Sequence, residues 1–274
     1  MSKTLFITGA SKGFGKLWAE AFLKRGDRVI ATARNIADLD DLIATYGDLV
    51  FPFQLDVNDR AEVFKTVESA ANITGNIDVL INNAGFGLFG TTEETTEEQA
   101  RAQMETNFFG SLWVAQAILP VFRKQKSGHI IQISSFLGLT TLPLLGLYNA
   151  SKFAVEGLIE TISTEVAHLG IKTTLIEPNG FSTDWSGASA VQTPSTITDY
   201  DMVRTAFNAE GSNPDNWGIP EATVQPILDV VDMVQPPKRL LFGKVAYHTI
   251  HDVLNHRLQE VEEWKTVSLA AHGH

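Results

Sequence analysis

Residues 148–152 read YNASK, a tyrosine and a lysine four positions apart at the head of an apolar run. On a helix such a pair shares one face. A phenol, with an unperturbed pKa of about 10, is a poor acid at neutral pH. A cation within a few ångströms favours its ionised form by roughly 1–3 pK units. That would bring Tyr148 toward the range of general acid–base catalysis. An isolated Y-x-x-x-K is commonly an ordinary surface pair, so its surroundings decide. A second candidate lies near the N-terminus, where TGASKGFG (8–15) puts Gly9, Gly13 and Gly15 between an apolar run and a helical one. Glycines let a backbone turn sharply and approach a ligand. A helix starting there turns unpaired N–H groups and a positive dipole end toward an anion.

Both candidates need a scaffold, and the chain alternates β-rich runs with helical ones. Strand patterns fall at 4–8, 28–33, 49–55, 78–85, 129–134, 172–178 and 239–243. Helical patterns fall at 13–25, 59–73, about 96–126, about 147–169 and 244–266, and in IADLDDLIATYG after the second strand. That order predicts an α/β fold, a doubly wound parallel sheet of about seven strands with helices on both faces. Near-continuous apolar strands fit burial on both sides. Pro52 predicts that the third strand lies near the sheet edge. The whole chain, 1–274, reads as a single domain. From about 179 to 220 the texture turns to Gly, Ser, Thr, Asn, Asp and Pro, with Phe181, Trp185, Tyr200, Phe207 and Trp217 among them. So long an irregular stretch predicts a substrate lid, with a short helix at 199–210 and a helical extension following at about 244–268.

Composition narrows the functions. Of 274 residues 44% are apolar and 19% charged, as in a folded globular protein. A net charge of −11 disfavours nucleic acid as a partner. Cysteine is absent, which excludes disulfides and thiolate metal sites and makes a reducing cytoplasm the expected compartment. The N-terminus reaches turn residues too soon for a signal peptide, and no run approaches the roughly 18–20 apolar residues of a membrane span. His248 and His251 have the i, i+3 spacing of a ligand pair but no evident third ligand, so no metal is expected. TTEETTEEQ (91–99) reads as helix capping and solvated surface.

The spacing T-G-x-x-x-G-x-G, together with NNAG (82–85), Asn107 in NFFG, Ser135 in ISS and YNASK, resembles the short-chain dehydrogenase/reductase family over about residues 4–185. Residues 213–268 also look like a bacterial carbonyl-reductase-type branch. The resemblance implies a Rossmann-like sheet and a nicotinamide cofactor. Ser11, Lys12, Gly13 and Phe14 would then line the phosphates, and Asp56 and Val57 the adenine. Asn83, Ala84 and Gly85 would line the adenosine ribose. Pro178, Phe181 and Thr183 of EPNGFSTDW would hold the carboxamide. Asn179 replaces the usual glycine there, and asparagine tolerates a left-handed backbone. An acidic residue after the second strand would select NAD, a basic one NADP. Here Ala33 and Arg34 stand at that place and Lys12 in the turn, so NADP(H) is the expected cofactor.

By the same resemblance Tyr148 gives a proton to the substrate oxygen and Ser135 hydrogen-bonds that oxygen. Lys152 lowers the tyrosine's pKa and holds the ribose, and Asn107 kinks its helix to bind a proton-feeding water. Phe86, Leu137, Leu139, Leu144, Leu145 and Trp185 are pocket candidates, an apolar set that discriminates by shape. The implied activity is NADPH-dependent reduction of a ketone or aldehyde, a small and apolar substrate. Alternatives are a 3-oxoacyl-carrier-protein reductase, a steroid or retinoid dehydrogenase, and a non-enzymatic NADP sensor. A homodimer or homotetramer through helices 96–126 and 147–169 is also implied.

Overall fold

Among the described residues nine strands form, and seven of them build one sheet. In chain order they are β1 (Thr4–Ile7), β2 (Arg28–Ala33), β3 (Val50–Gln54), β4 (Val79–Asn82), β5 (Leu88–Phe89), β6 (Gly128–Ile133), β7 (Ile171–Pro178), β8 (Val191–Gln192) and β9 (Arg239–Phe242). The computed structural model describes residues 2–185, 187 and 190–273; Met1, His274 and, within the expected lid, Ser186, Ala188 and Ser189 lie outside the described residues. The main sheet runs β3-β2-β1-β4-β6-β7-β9, and every neighbouring pair is parallel. Strand β3, with Pro52, is the outermost on its side, as the missing N–H requires. Strands β5 and β8 pair only with each other.

The helices are α1 (Gly13–Arg25), α2 (Asp40–Tyr46), α3 (Arg60–Thr74), α4 (Glu97–Met104), α5 (Ser111–Gln125), α6 (Gly146–Val166), α7 (Asp201–Ser212), α8 (Val224–Asp232), α9 (Lys244–Glu263) and α10 (Lys265–Ala270). They cover both faces because strand side chains alternate. Leu5 and Ile7 of β1 join Trp18 and Phe22 of α1 on one face. Phe6 between them joins Val63 and Val67 of α3 and Val114 and Ile118 of α5 on the other. Each such side chain, fully buried, contributes about 1.5–3 kcal/mol. The chain builds outward one way through β2 and β3 and the other way from β4. The reversal beside β1 opens a crevice at the carboxyl ends of the strands.

Three elements depart from the sequence expectation. The helix expected over 96–126 is interrupted by a π-turn at Glu105–Gly110, between α4 and α5. Its apolar period continues across the turn, so the pattern does not reveal it. Helix α8 was not expected, because it is only nine residues long and carries Pro226 in its first turn. Ile227, Val230 and Val231 bury it in the core beside α1, and Trp18 Nε1 donates to Thr223 Oγ1 at 2.8 Å just before it. The C-terminal helix breaks at Trp264 into α9 and α10, and nearly every residue from His251 onward is exposed. Among the described residues no helix is long and apolar enough to cross a membrane.

Candidate active site

The glycine turn is shaped by close approach. Gly9 and Gly13 hold φ of +67° and +54°, and a Cβ on Gly15 would lie 2.1 Å from the Gly9 carbonyl oxygen. Only glycine fits such contacts. Thr8 Oγ1 accepts from the amides of Asn83 (2.8 Å) and Ala84 (3.0 Å), and Asn83 Nδ2 donates to the carbonyl of Thr8 at 2.9 Å. The NNAG segment after β4 is therefore fastened to the turn after β1. Phe14 stacks on Trp18 at 4.8 Å and meets Phe181 edge-on at 5.2 Å, joining the turn to the loop after β7.

Three elements, α6, β6 and β7, bring Ser135, Tyr148 and Lys152 together. Tyr148 and Lys152 lie one turn apart on α6, both buried, with Lys152 Nζ 5.6 Å from the phenol ring centre. Lys152 Nζ donates to the carbonyl of Ile133 at the end of β6 (3.0 Å). Ser135, just past β6, accepts from the Leu137 amide at 3.1 Å and donates to the Pro178 carbonyl at 3.4 Å. Burial pushes the Tyr148 phenol well above its ordinary pKa, with the Ser135 hydroxyl pulling back. Burial pushes Lys152 down to about 8, opposed by the charge of Glu156. The expected lowering of the tyrosine by the lysine is thus outweighed, because desolvation penalises both charged forms. So buried, the phenol keeps its proton but is a weaker acid than a free tyrosine.

Asn107 is buried within the π-turn, behind the crevice rather than lining it. Its Oδ1 accepts from the Phe86 amide (3.0 Å), and its Nδ2 donates to the Phe86 carbonyl (3.0 Å) and to Ser151 Oγ (3.1 Å). It ties the segment after β4 to α6. Asn179 is not left-handed: among the described residues only Lys126 and Leu144 are non-glycine residues with positive φ. Asn179 Oδ1 instead accepts from the Ala246 amide at 3.2 Å, satisfying an open N–H in the first turn of α9.

One cavity of about 1820 Å³ runs through all of this. At one end it is lined by Gly9, Ser11, Lys12, Gly13, Phe14, Arg34, Asp56 and Val57, in the middle by Asn83, Ala84, Gly85, Ser135, Tyr148, Lys152, Pro178, Phe181 and Thr183, and at the far end by Phe86, Leu137, Leu144, Leu145 and Trp185. Gly15 packs beneath the turn without lining it, and Leu139 stays outside. Asp38, which the sequence reading did not single out, lies at the Arg34 end. Leu144 holds a left-handed φ of +62°, and its carbonyl accepts from the Gly90 amide at 2.7 Å.

The segment expected to be a lid is fastened by residues expected to be mere surface. Thr96 does cap α4, reciprocally with Gln99. Glu94, however, accepts from Thr91 Oγ1 (2.5 Å), the amides of Thr196 (2.5 Å) and Ile197 (2.8 Å), and Arg204 Nη2 (2.5 Å). These bonds, the Thr91 hydroxyl first and the Ile197 amide next, hold its carboxyl down to about 2. Glu93 accepts from the Tyr200 hydroxyl at 2.6 Å. Val191 and Thr193 donate to the carbonyls of Gly87 (2.9 Å) and Phe89 (2.7 Å), closing the β5–β8 pair. A Cβ on Gly90 would lie 2.4 Å from Thr193 Cβ, so the lid strand seats in the space that glycine leaves. Phe89 contacts Trp185 (5.5 Å) and Phe207 (6.3 Å), and Trp185 covers Tyr148 at 4.9 Å.

The turn, the crevice at the strand reversal and the buried Ser135, Tyr148 and Lys152 fit a dinucleotide beside a reducible group. Together they define a nicotinamide-dependent oxidoreductase with a Rossmann-like, single-domain fold. The short chain dehydrogenase family profile matches residues 3–193. Oxidoreductase BOA17 of Botryotinia fuckeliana is 39% identical over 99% of this chain and 100% of its own. A 3-ketodihydrosphingosine reductase of Bacteroides thetaiotaomicron is 41% identical over 66% of this chain and 65% of its own. The crystal structure of a short-chain dehydrogenase from Streptomyces avermitilis superposes with a TM-score of 0.91 at 34% identity, covering 98% of both chains. The chain belongs to the short-chain dehydrogenase family. Likeness along the whole length extends to Botryotinia and Streptomyces alike, so residues 213–268 do not single out a bacterial branch.

Proposed function

We propose that this protein reduces a ketone or aldehyde with NADPH, reversibly, and that Tyr148 delivers the proton. The observation that carries this is the convergence of Ser135, Tyr148 and Lys152 in the middle of the cavity. Bound NADPH would supply a hydride to the carbonyl carbon. Ser135 would hydrogen-bond the carbonyl oxygen, and Tyr148, kept protonated by burial, would give that oxygen its proton as charge develops. Lys152 would hold the ribose, and Asn107 would keep the strand-end segment in register with α6. Lys12 and Arg34 at the glycine-turn end, without an ion pair among the described residues, favour a 2′-phosphate.

The cavity is large enough for cofactor and substrate together, since drug-sized ligands occupy about 300–1,000 Å³. Its lid end is apolar, with Phe89, Leu137, Trp185 and Phe207, which suits an extended apolar ketone. The Bacteroides relative's named substrate is a compound of that kind. The absence of cysteine and the lack of a membrane-length helix among the described residues support the cytoplasm as the compartment. A homodimer or homotetramer through α4–α5 and α6 is part of the proposal. It is supported by solvent-facing Phe109 and Phe153 there, and sedimentation velocity tests it.

The decisive test follows absorbance of NADPH with a panel of short- and long-chain ketones. Turnover is expected with the apolar members, and Tyr148→Phe should retain under about 1% of it, since acid–base groups contribute roughly 10²–10⁴-fold. NADPH binding to that variant should stay near wild type. A variant keeping more than about a tenth of the rate would remove Tyr148 from the role.

A further inference from the structure

Behind Lys152, away from the cavity, the same face of α6 carries two more ionisable groups at the same spacing, Glu156 and Glu160. Glu156 and Glu177 of β7 are 4% and 1% exposed, and the proposed reduction uses neither. Arg239 of β9 donates through Nη1 to both carboxylates, to Glu177 at 2.7 Å, and reaches the exposed Glu160 at 2.8 Å. Glu156 Oε1 and Ser134 Oγ are buried without a well-formed hydrogen bond. Gly138 closes the turn that begins at Ser135, and a Cβ on it would lie 2.7 Å from Glu156 Cγ and 3.0 Å from Ser134 Oγ. Glu156 is thus wedged beneath the turn that carries Ser135 and one helical turn from Lys152. It lies close behind the turn and acts on Lys152 through its charge.

Two buried carboxyls facing one guanidinium cannot both ionise freely. Burial pushes Glu156 up against the pull of Ser134 and Arg239. Burial, and then the charge of Glu156, pushes Glu177 to about 7. Lys152 has Glu156 as the charge that opposes its own desolvation. We propose that Glu156 and Glu177 hold one proton between them, and that the charge left on Glu156 sets the pH up to which Lys152 stays protonated. Both are then positioning residues acting through Lys152. Their effect on rate rests on the reduction proposed above; their effect on the lysine does not.

The signs are opposite for the two carboxyls. An anionic Glu156 favours the ammonium, so neutralising it lets Lys152 lose its proton at lower pH. Neutralising Glu177 removes the repulsion on Glu156, which ionises more fully and keeps Lys152 charged to higher pH. Lysine ¹³C NMR can follow the Lys152 Cε resonance against pH, identified by its loss in Lys152→Met. The midpoint should fall by about one pH unit in Glu156→Gln, rise in Glu177→Gln and move little in Glu160→Gln. The alkaline limb of kcat/KM for carbonyl reduction should move with it. Midpoints that stay put, or move the same way in both variants, overturn the inference. Should Glu156→Gln fail to fold, the sign of the Glu177→Gln shift decides alone. Shifted midpoints in a protein that reduces no carbonyl would refute the proposed function and leave the carboxyl pair standing; turnover with fixed midpoints would do the reverse.

Discussion

At the scale of single residues, burial decides what the side chains can do. Tyr148 and Lys152 were legible from their spacing together with the glycine turn, NNAG and Ser135, but their acidities were not. These depend on burial first, then on Ser135 for the phenol and on Glu156 for the lysine. Leu144 is a similar case, since nothing in its type announces a left-handed backbone, which costs about 1–3 kcal/mol. The wall it forms is held by the Gly90 hydrogen bond, 54 positions away. Cofactor choice is the property most open to test at this scale. Arg34→Ala should weaken NADPH by roughly ten- to a hundredfold, the loss of one or two charged hydrogen bonds, and leave NADH nearly unchanged. Ala33→Asp should repel the 2′-phosphate and improve NADH. Titration of both cofactors into the three proteins measures this; equal weakening of NADPH and NADH by Arg34→Ala would make the arginine a surface charge.

At the scale of elements, the strap from Thr91 to Gln99 does more than begin a helix. Its capping box was readable because both partners lie within four residues. The hold of Glu94 on Thr196, Ile197 and Arg204 was not, because those partners are about a hundred positions distant. Glu94→Gln keeps the shape and removes the charge. It should raise KM for the carbonyl substrate by about three- to tenfold with a smaller change in kcat, since a weakened lid binds substrate less well while Ser135, Tyr148 and Lys152 keep their places. Steady-state kinetics on the variant give the split; a fall in kcat at unchanged KM would mean that the strap acts on the chemistry instead. The resemblance implied a kinked helix at Asn107, and the π-turn there makes that break, although the apolar residues around it do not announce it.

At the scale of the whole molecule, the seven strands of the sheet follow from local apolar runs, which is why the fold class could be read in advance; their order, set by pairings between distant segments, was not read. Helix α8 was missed although its nine residues are strongly one-sided, because it is short and carries Pro226 in its first turn; Ile227, Val230 and Val231 fill the space beside Trp18. The lid lies between these cases, expected from texture but assembled by contacts from distant parts of the chain. Its seat at Gly90 has a genetic consequence. A methyl group at position 90 would collide with Thr193 Cβ, so Gly90→Ala alone should push β8 off β5 and cost most of the activity. Thr193→Gly alone should cost less, losing mainly the bond to Gln99 (3.1 Å). In the double variant the collision is gone, and turnover should recover to near that of Thr193→Gly. The two positions are therefore epistatic: a side chain can arrive at 90 only in a lineage that has already surrendered the one at 193, and a suppressor screen on Gly90→Ala should return to that site.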